Sequence, residues 1–183
     1  MSHAGHENGR SLIRIMVGWV RDLSISVVLA VLVILFLYQP VKVEGTSMMP
    51  SLVDQDRIFI NKFLYKFGID DIRRGDLIVF WFPGDPTKSY IKRVIGLPGD
   101  AIRVVDGQVL VNGDPLQEDY VPAQYRDRSN TGVITVSPDE YFVMGDHRSS
   151  SNDSRSWGPV PRHFIYGKAV FVYWPIDKMG VVR

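Results

Sequence analysis

Three short stretches of this chain carry residue types that could perform acyl-transfer chemistry. The first, Gly45-Thr46-Ser47-Met48-Met49-Pro50, sets a small hydroxyl between a permissive glycine and a rigid proline. Such a loop can offer a serine Oγ and a backbone N–H to one carbonyl, which acyl transfer requires. By residue type alone Ser47 also fits an ordinary turn serine, the commoner case. The second stretch, Tyr90-Ile91-Lys92-Arg93-Val94-Ile95-Gly96, places Lys92 inside an apolar, strand-like run. Facing inward, its amine would lose solvation and its pKa would fall, giving a usable base near neutral pH. The adjacent Arg93 would repel the lysine charge in the same direction. Facing outward, Lys92 would be a solvated strand lysine, again the commoner case. The third stretch, Met144 to Gly158, interleaves Asp146, Arg148, Asp153 and Arg155 with Ser149, Ser150, Ser151 and Asn152. Such a density of hydrogen-bonding groups between apolar runs suits a rigid polar network better than a flexible linker.

Other chemistries have little to work with. The chain contains no cysteine, which excludes disulfides, thiolate nucleophiles and Cys-ligated zinc. No His-x-x-x-His or comparable spacing is present, so neither a metal nor a cofactor is expected. Only His147 and His163 lie in the main body, and a Ser-His-Asp triad would have to use one of them. A catalytic carboxylate pair stays open, although no Asp or Glu stands out for it. From residue 41 onward the basic and acidic side chains balance. That gives no electrostatic reason to expect a nucleic-acid partner.

The elements that must position these stretches differ along the chain. Leu23 to Tyr38 is a sixteen-residue run without a charge, interrupted only by Ser24 and Ser26. Extended upstream through Trp19 and Ile15, with Arg14 and Arg21 snorkelling, it predicts a helix able to span a bilayer. A cleaved leader would need a small-x-small site after the apolar run, and Tyr38-Gln39-Pro40-Val41 offers none. Arg10, Arg14 and Arg21 precede the span, so the positive-inside rule puts the N-terminus in the cytoplasm. The expected organisation is a tail over 1–21, a transmembrane anchor over 22–39 and an extracytoplasmic body over 40–183. That body reads as β-rich. Arg57–Ile60, Asp76–Phe82 and Ala169–Trp174 are β-branched and aromatic runs bounded by Gly and Pro. Ile102–Val105 and Gln108–Val111 flank Asp106-Gly107, the pair that a type I′ hairpin turn prefers. Residues 118–131 are polar and read as a surface loop.

Taken in order behind the anchor, the three clusters resemble the signature boxes of bacterial type I signal peptidases. Gly45 through Leu52 matches the nucleophile box and Arg74-Gly75-Asp76-Leu77-Ile78-Val79-Phe80 the structural box that follows. Tyr90 through Asp100 matches the base box, and Gly145 through Arg155 the last box. The resemblance covers the body from about 41 to 174. It implies a mainly antiparallel β fold, with a small inserted β region at about 101–135. It also implies a membrane serine endopeptidase that removes signal peptides from exported preproteins after an Ala-x-Ala-like site. Its catalytic domain would lie on the outer face of the bacterial membrane.

Carried over residue by residue, Ser47 is the nucleophile and Lys92 the general base. Ser151 holds the lysine amine by a hydrogen bond, and the Ser47 N–H donates to the oxyanion. Asp146, Arg148, Asp153 and Arg155 support the site. Val43, Met48, Leu52, Val79, Tyr90 and Ile91 are expected to line shallow apolar pockets for small side chains. Two positions depart from the common pattern. Gly45 stands where some members have a second oxyanion-binding serine, and His147 stands where many have asparagine. With Lys92 in the base position, His147 is expected to be structural.

Overall fold

The computed structural model describes residues 4–62 and 72–182, which form two units. The first is one helix, α1 (Ala4–Leu37). It runs without a break through the boundary expected at residue 22. Its stretch Arg14–Leu32, with mean hydropathy 1.9, is long and apolar enough to cross a membrane. Ser24 and Ser26 interrupt the apolar run without exposing an unpaired hydroxyl, because each Oγ–H donates to the carbonyl four residues earlier at 2.8 Å.

The second unit is the β body. β1 (Tyr38–Lys42), β2 (Arg57–Asn61), β3 (Leu77–Phe82), β4 (Asp85–Gly96), β9 (Glu140–Met144), β10 (Val160–Pro161) and β11 (Ile165–Trp174) form one sheet. Their order is β1-β2-β11-β3-β4-β9-β10, all antiparallel, with β12 (Gly180–Val181) beside β11. A second sheet, ordered β7-β6-β5-β8, comprises β5 (Ala101–Val105), β6 (Gln108–Val111), β7 (Asp114–Pro115) and β8 (Ile134–Thr135). The β5–β6 turn is Asp106-Gly107, with φ of 47° and 79°. Positive φ at both central residues is what a type I′ turn demands.

β4 ties the two halves of the large sheet together. Its outer half pairs with β3 alone, with Ile78 opposite Lys92 and Phe80 opposite Tyr90. From Arg93 onward it also pairs with β9, through Arg93↔Met144 and Val94↔Val143. Among the described residues Tyr90 through Lys92 therefore leave one strand edge unpaired, next to the point where β4 becomes fully enclosed. Around it lie three apolar clusters. One gathers Met48, Leu52, Ile58, Ile60, Leu77 and Val79; another Ile78, Phe80, Val94 and Val143. The third joins the sheets through Ile95, Ile102, Val104, Phe142 and Met144. The side chains that flank the site are thus held by packing that excludes water.

Candidate active site

Ser47 sits in the loop between β1 and β2, and the reason it faces outward lies in its neighbours. Met48 and Leu52 are 1% and 0% exposed. The Leu52 N–H donates to the Met48 carbonyl at 2.9 Å, a helical turn that brings both side chains to the inner face. Gly45 begins the loop at φ +92°, which a side chain would strain. Its N–H donates to Asp54 Oδ1 at 2.8 Å. Beyond it, Met49 N–H donates to the Thr46 carbonyl at 3.1 Å. Among the described residues the Ser47 N–H makes no hydrogen bond, so it is available to a substrate oxygen. Met48 and Leu52, expected to line the substrate pockets, are packed in the buried apolar cluster that fixes the loop.

Lys92 reaches Ser47 from β4, and its Nζ donates to Ser47 Oγ at 2.5 Å. The residue is only 4% exposed. Among the described residues no carboxylate pairs with it. Burial, together with the more distant charge of Arg155, lowers its pKa to about 8, although Asp153 and Asp146 pull the other way. The repulsion anticipated from Arg93 is not what acts, because Arg93 is neutralised. Its Nε and Nη2 donate to Asp146 Oδ1 and Oδ2 at 2.8 and 2.7 Å. It also meets the Gly75 carbonyl, Ser51 Oγ and the face of Tyr120, whose ring centroid is 4.1 Å away. Consecutive residues of a strand point to opposite faces, which is how two adjacent cations come to have such different surroundings.

The last box forms the anticipated polar layer, with partners the sequence did not disclose. Asp153 caps the helical turn Ser154–Trp157, accepts from Gly145 N–H at 3.0 Å and is clasped by Arg155 Nε and Nη2. Arg155 also donates to Asp127 at 2.5 Å and to the Arg148 carbonyl at 2.8 Å. Arg148 makes a two-pronged bond to Glu118. Glu118, Tyr120, Tyr125 and Asp127 all come from the segment read as a surface loop. It is a loop, but one strapped across the network by two guanidinium–carboxylate pairs. Ser151 Oγ is buried without a hydrogen-bond partner, so its expected bond to Lys92 is not made in this structure. It abuts Gly145, where a Cβ would collide with both Ser151 and the Ser47 carbonyl.

A groove of about 530 Å³ opens over Ser47 and Lys92. Val41 to Glu44 line one wall and Ser89 to Lys92 the other, with Ile58, Val79 and Tyr166 between them. Of the pocket residues expected from sequence, Val43, Val79, Tyr90 and Ile91 are here. Val41, Ile58 and Tyr166 went unanticipated, since they lie on strands outside the four boxes or at their margin. Among the described residues no cluster of His, Asp and Glu could hold a metal ion.

Fold and site together define a β-body protein with a serine hydroxyl facing a buried amine, and comparison with known proteins places it. The family model "Signal peptidase, peptidase S26" matches residues 16–174, and the chain belongs to that family. It is similar to a signal peptidase I of Leptolyngbya laminosa, 39% identical over 88% of this chain and 81% of the relative. It also resembles signal peptidase I P of Bacillus subtilis subsp. natto, 37% identical over 90% of this chain and 92% of the relative. A solved signal peptidase I from Enterococcus faecalis V583 is 31% identical, covering 54% of this chain and 97% of its own at a TM-score of 0.49.

Proposed function

We propose that this protein is a membrane-anchored signal peptidase in which Ser47 and Lys92 cleave signal peptides from exported preproteins after an Ala-x-Ala-like site. The observation that carries the reading is the 2.5 Å contact between Ser47 Oγ and a buried amine that lacks a carboxylate partner among the described residues. With Lys92 neutral, the Ser47 O–H donates to Nζ. The amine takes that proton as Oγ attacks the scissile carbonyl, and the oxyanion forms against the Ser47 N–H. The resulting ammonium protonates the departing amine. Water then hydrolyses the acyl-enzyme, with Lys92 again as base. Ser151, whose buried hydroxyl has no hydrogen-bond partner among the described residues, takes up its bond to the amine during the reaction and holds it in line. Asp146, Arg148, Asp153 and Arg155 keep the surrounding backbone rigid.

The substrate lies extended in the groove, pairing its main chain with the open edge of β4 and with the segment Val41–Glu44 at the end of β1. Val43, Val79, Tyr90 and Ile91, with Ile58 and Tyr166, shape shallow pockets that admit small side chains. α1 anchors the enzyme in the bilayer with its N-terminus in the cytoplasm, so that the β body meets preproteins as they emerge.

The test is cleavage of a purified preprotein carrying an Ala-x-Ala site by the full chain in detergent. Ser47→Ala and Lys92→Ala should each lower kcat by about 10⁴-fold or more, as loss of a nucleophile or its base does. Because only the neutral amine is active, the wild-type single-turnover rate should climb with pH and level off above about 8. Full activity in either variant, as a non-catalytic tethered module would retain, overturns the reading, as does a flat pH profile.

A further inference from the structure

His147 makes no hydrogen bond to Lys92 or to Ser47 Oγ among the described residues, yet its contacts fall on the two peptide groups that flank the nucleophile. Its backbone N–H donates to the Ser47 carbonyl at 3.0 Å. Its ring Nδ1 lies 3.2 Å from the Thr46 carbonyl oxygen. A carbonyl can only accept, so Nδ1 carries the proton in this contact. The Thr46 carbonyl and the Ser47 N–H belong to one planar peptide unit. Fixing the oxygen of that unit fixes the direction of its N–H, which is the group left free to meet an oxyanion. The same Thr46 oxygen also accepts from Met49 N–H, so it is held from both sides. The imidazole is itself located by the inserted segment, because the Tyr125 ring packs edge-on against it with centroids 4.8 Å apart.

We propose that His147 is a positioning residue for catalysis: its imidazole N–H locks the Thr46–Ser47 peptide plane so that the Ser47 N–H faces the developing oxyanion. The proposal rests on Ser47 being the nucleophile. It gives His147 a role distinct from both the general base of a Ser-His pair and an inert loop residue. Donation to the Thr46 oxygen also polarises the peptide, which makes its N–H a better donor. Gly45, upstream in the loop, has no side chain to offer a second oxyanion donor, so the aim of the Ser47 N–H matters more here.

The experiment compares the full-length enzyme with His147→Leu, which fills the space without a donor, and His147→Asn, whose amide N–H can reach the same carbonyl. Each is assayed on a preprotein and titrated with an Ala-x-Ala peptide boronic acid, whose boron accepts the Ser47 oxygen as a tetrahedral adduct. His147→Leu should lower kcat by about 10- to 100-fold, less than removing an oxyanion donor outright. KM should change by less than about twofold, and the boronate should bind more weakly in proportion to the lost kcat. His147→Asn should recover most of both losses. The pH midpoint of kcat should be the same in all three proteins. Should His147→Leu prove unstable, His147→Asn against wild type still decides, since a donor-independent role leaves asparagine no reason to restore boronate affinity. Equal boronate affinity in wild type and His147→Leu overturns this inference alone, as does a deficit in His147→Asn matching that of His147→Leu. Disappearance of the pH dependence in the variants would instead make His147 the base. A wild-type enzyme that forms no adduct on Ser47 overturns the dyad reading and this inference with it.

Discussion

Lys92 and Arg93 are neighbours on one strand, both buried and both cationic, yet the two regions they enter treat charge in opposite ways. Behind the sheet, Arg93 is 2% exposed and gripped in two-pronged fashion by Asp146, with further acceptors on Gly75 and Ser51. Toward the groove, Lys92 is nearly as buried and, among the described residues, meets only a hydroxyl at bonding distance. Burial is therefore common to both sides, and the difference is made by where the carboxylates are. The paired side keeps its charge and gains rigidity. The unpaired side sheds its proton near neutral pH, which is what a base must do. The two carboxylates nearest the amine are each taken up by a guanidinium, Asp146 by Arg93 and Asp153 by Arg155, so burial prevails and the pKa of Lys92 falls.

The sharpest way to break this comparison is to remove one partner on the paired side. Arg93→Met leaves Asp146 buried and uncompensated, and should destabilise the fold by about 3–5 kcal/mol in denaturant titrations. A loss below about 1 kcal/mol would mean that the pair does not bind the layer together.

Lys92→Met should do the reverse. Because the folded-state pKa of Lys92 lies below that of the unfolded chain, the unfolded chain binds its proton more tightly. Protonated Lys92 thus destabilises the native state fully below pH 8, and the penalty fades as pH rises from about 8 to 10.5. The methionine variant should be about 1–3 kcal/mol more stable than wild type at pH 7, an advantage that shrinks across that window. Melting curves for the two proteins at a series of pH values would check this, and a destabilised variant would count against it.

The smallest effect belongs to the outer rim of the paired side. Asp127→Asn leaves Arg155 with Asp153, so about 1–2 kcal/mol should be lost. A loss as large as that for Arg93→Met would show the strap to be as much a part of the core as the inner pair.

The same contrast explains what could be read from the sequence. The helix, the strands and the Asp106-Gly107 hairpin follow from local rules of periodicity and turn chemistry, and the structure has them close to where those rules place them. Ser47 and Lys92 were legible as a pair only through the boxes they occupy, since the two residues lie 45 positions apart. Residues 118–131 form the loop that their polar composition predicts, but composition fits solvent and ion pairing equally well, so its pairs stayed hidden. Glu118 meets Arg148 from 30 residues away and Asp127 meets Arg155 from 28, distances over which no local rule operates. Met48 and Leu52 show a different limit. Apolar residues beside Ser47 suit a pocket wall or a core, and their burial in the cluster under the loop depends on the turn between them, which residue type does not reveal.

One consequence of the strap concerns how far this body can be treated as modular. The small sheet of residues 101–135 reads as an appendage that could be exchanged between relatives. Its polar edge, however, supplies the acceptors for two guanidinium groups and the aromatic ring against His147. A chimaera that imports this segment from another enzyme must bring equivalent acceptors with it, or the host's Arg148 will lose its carboxylate and Arg155 will be left with Asp153.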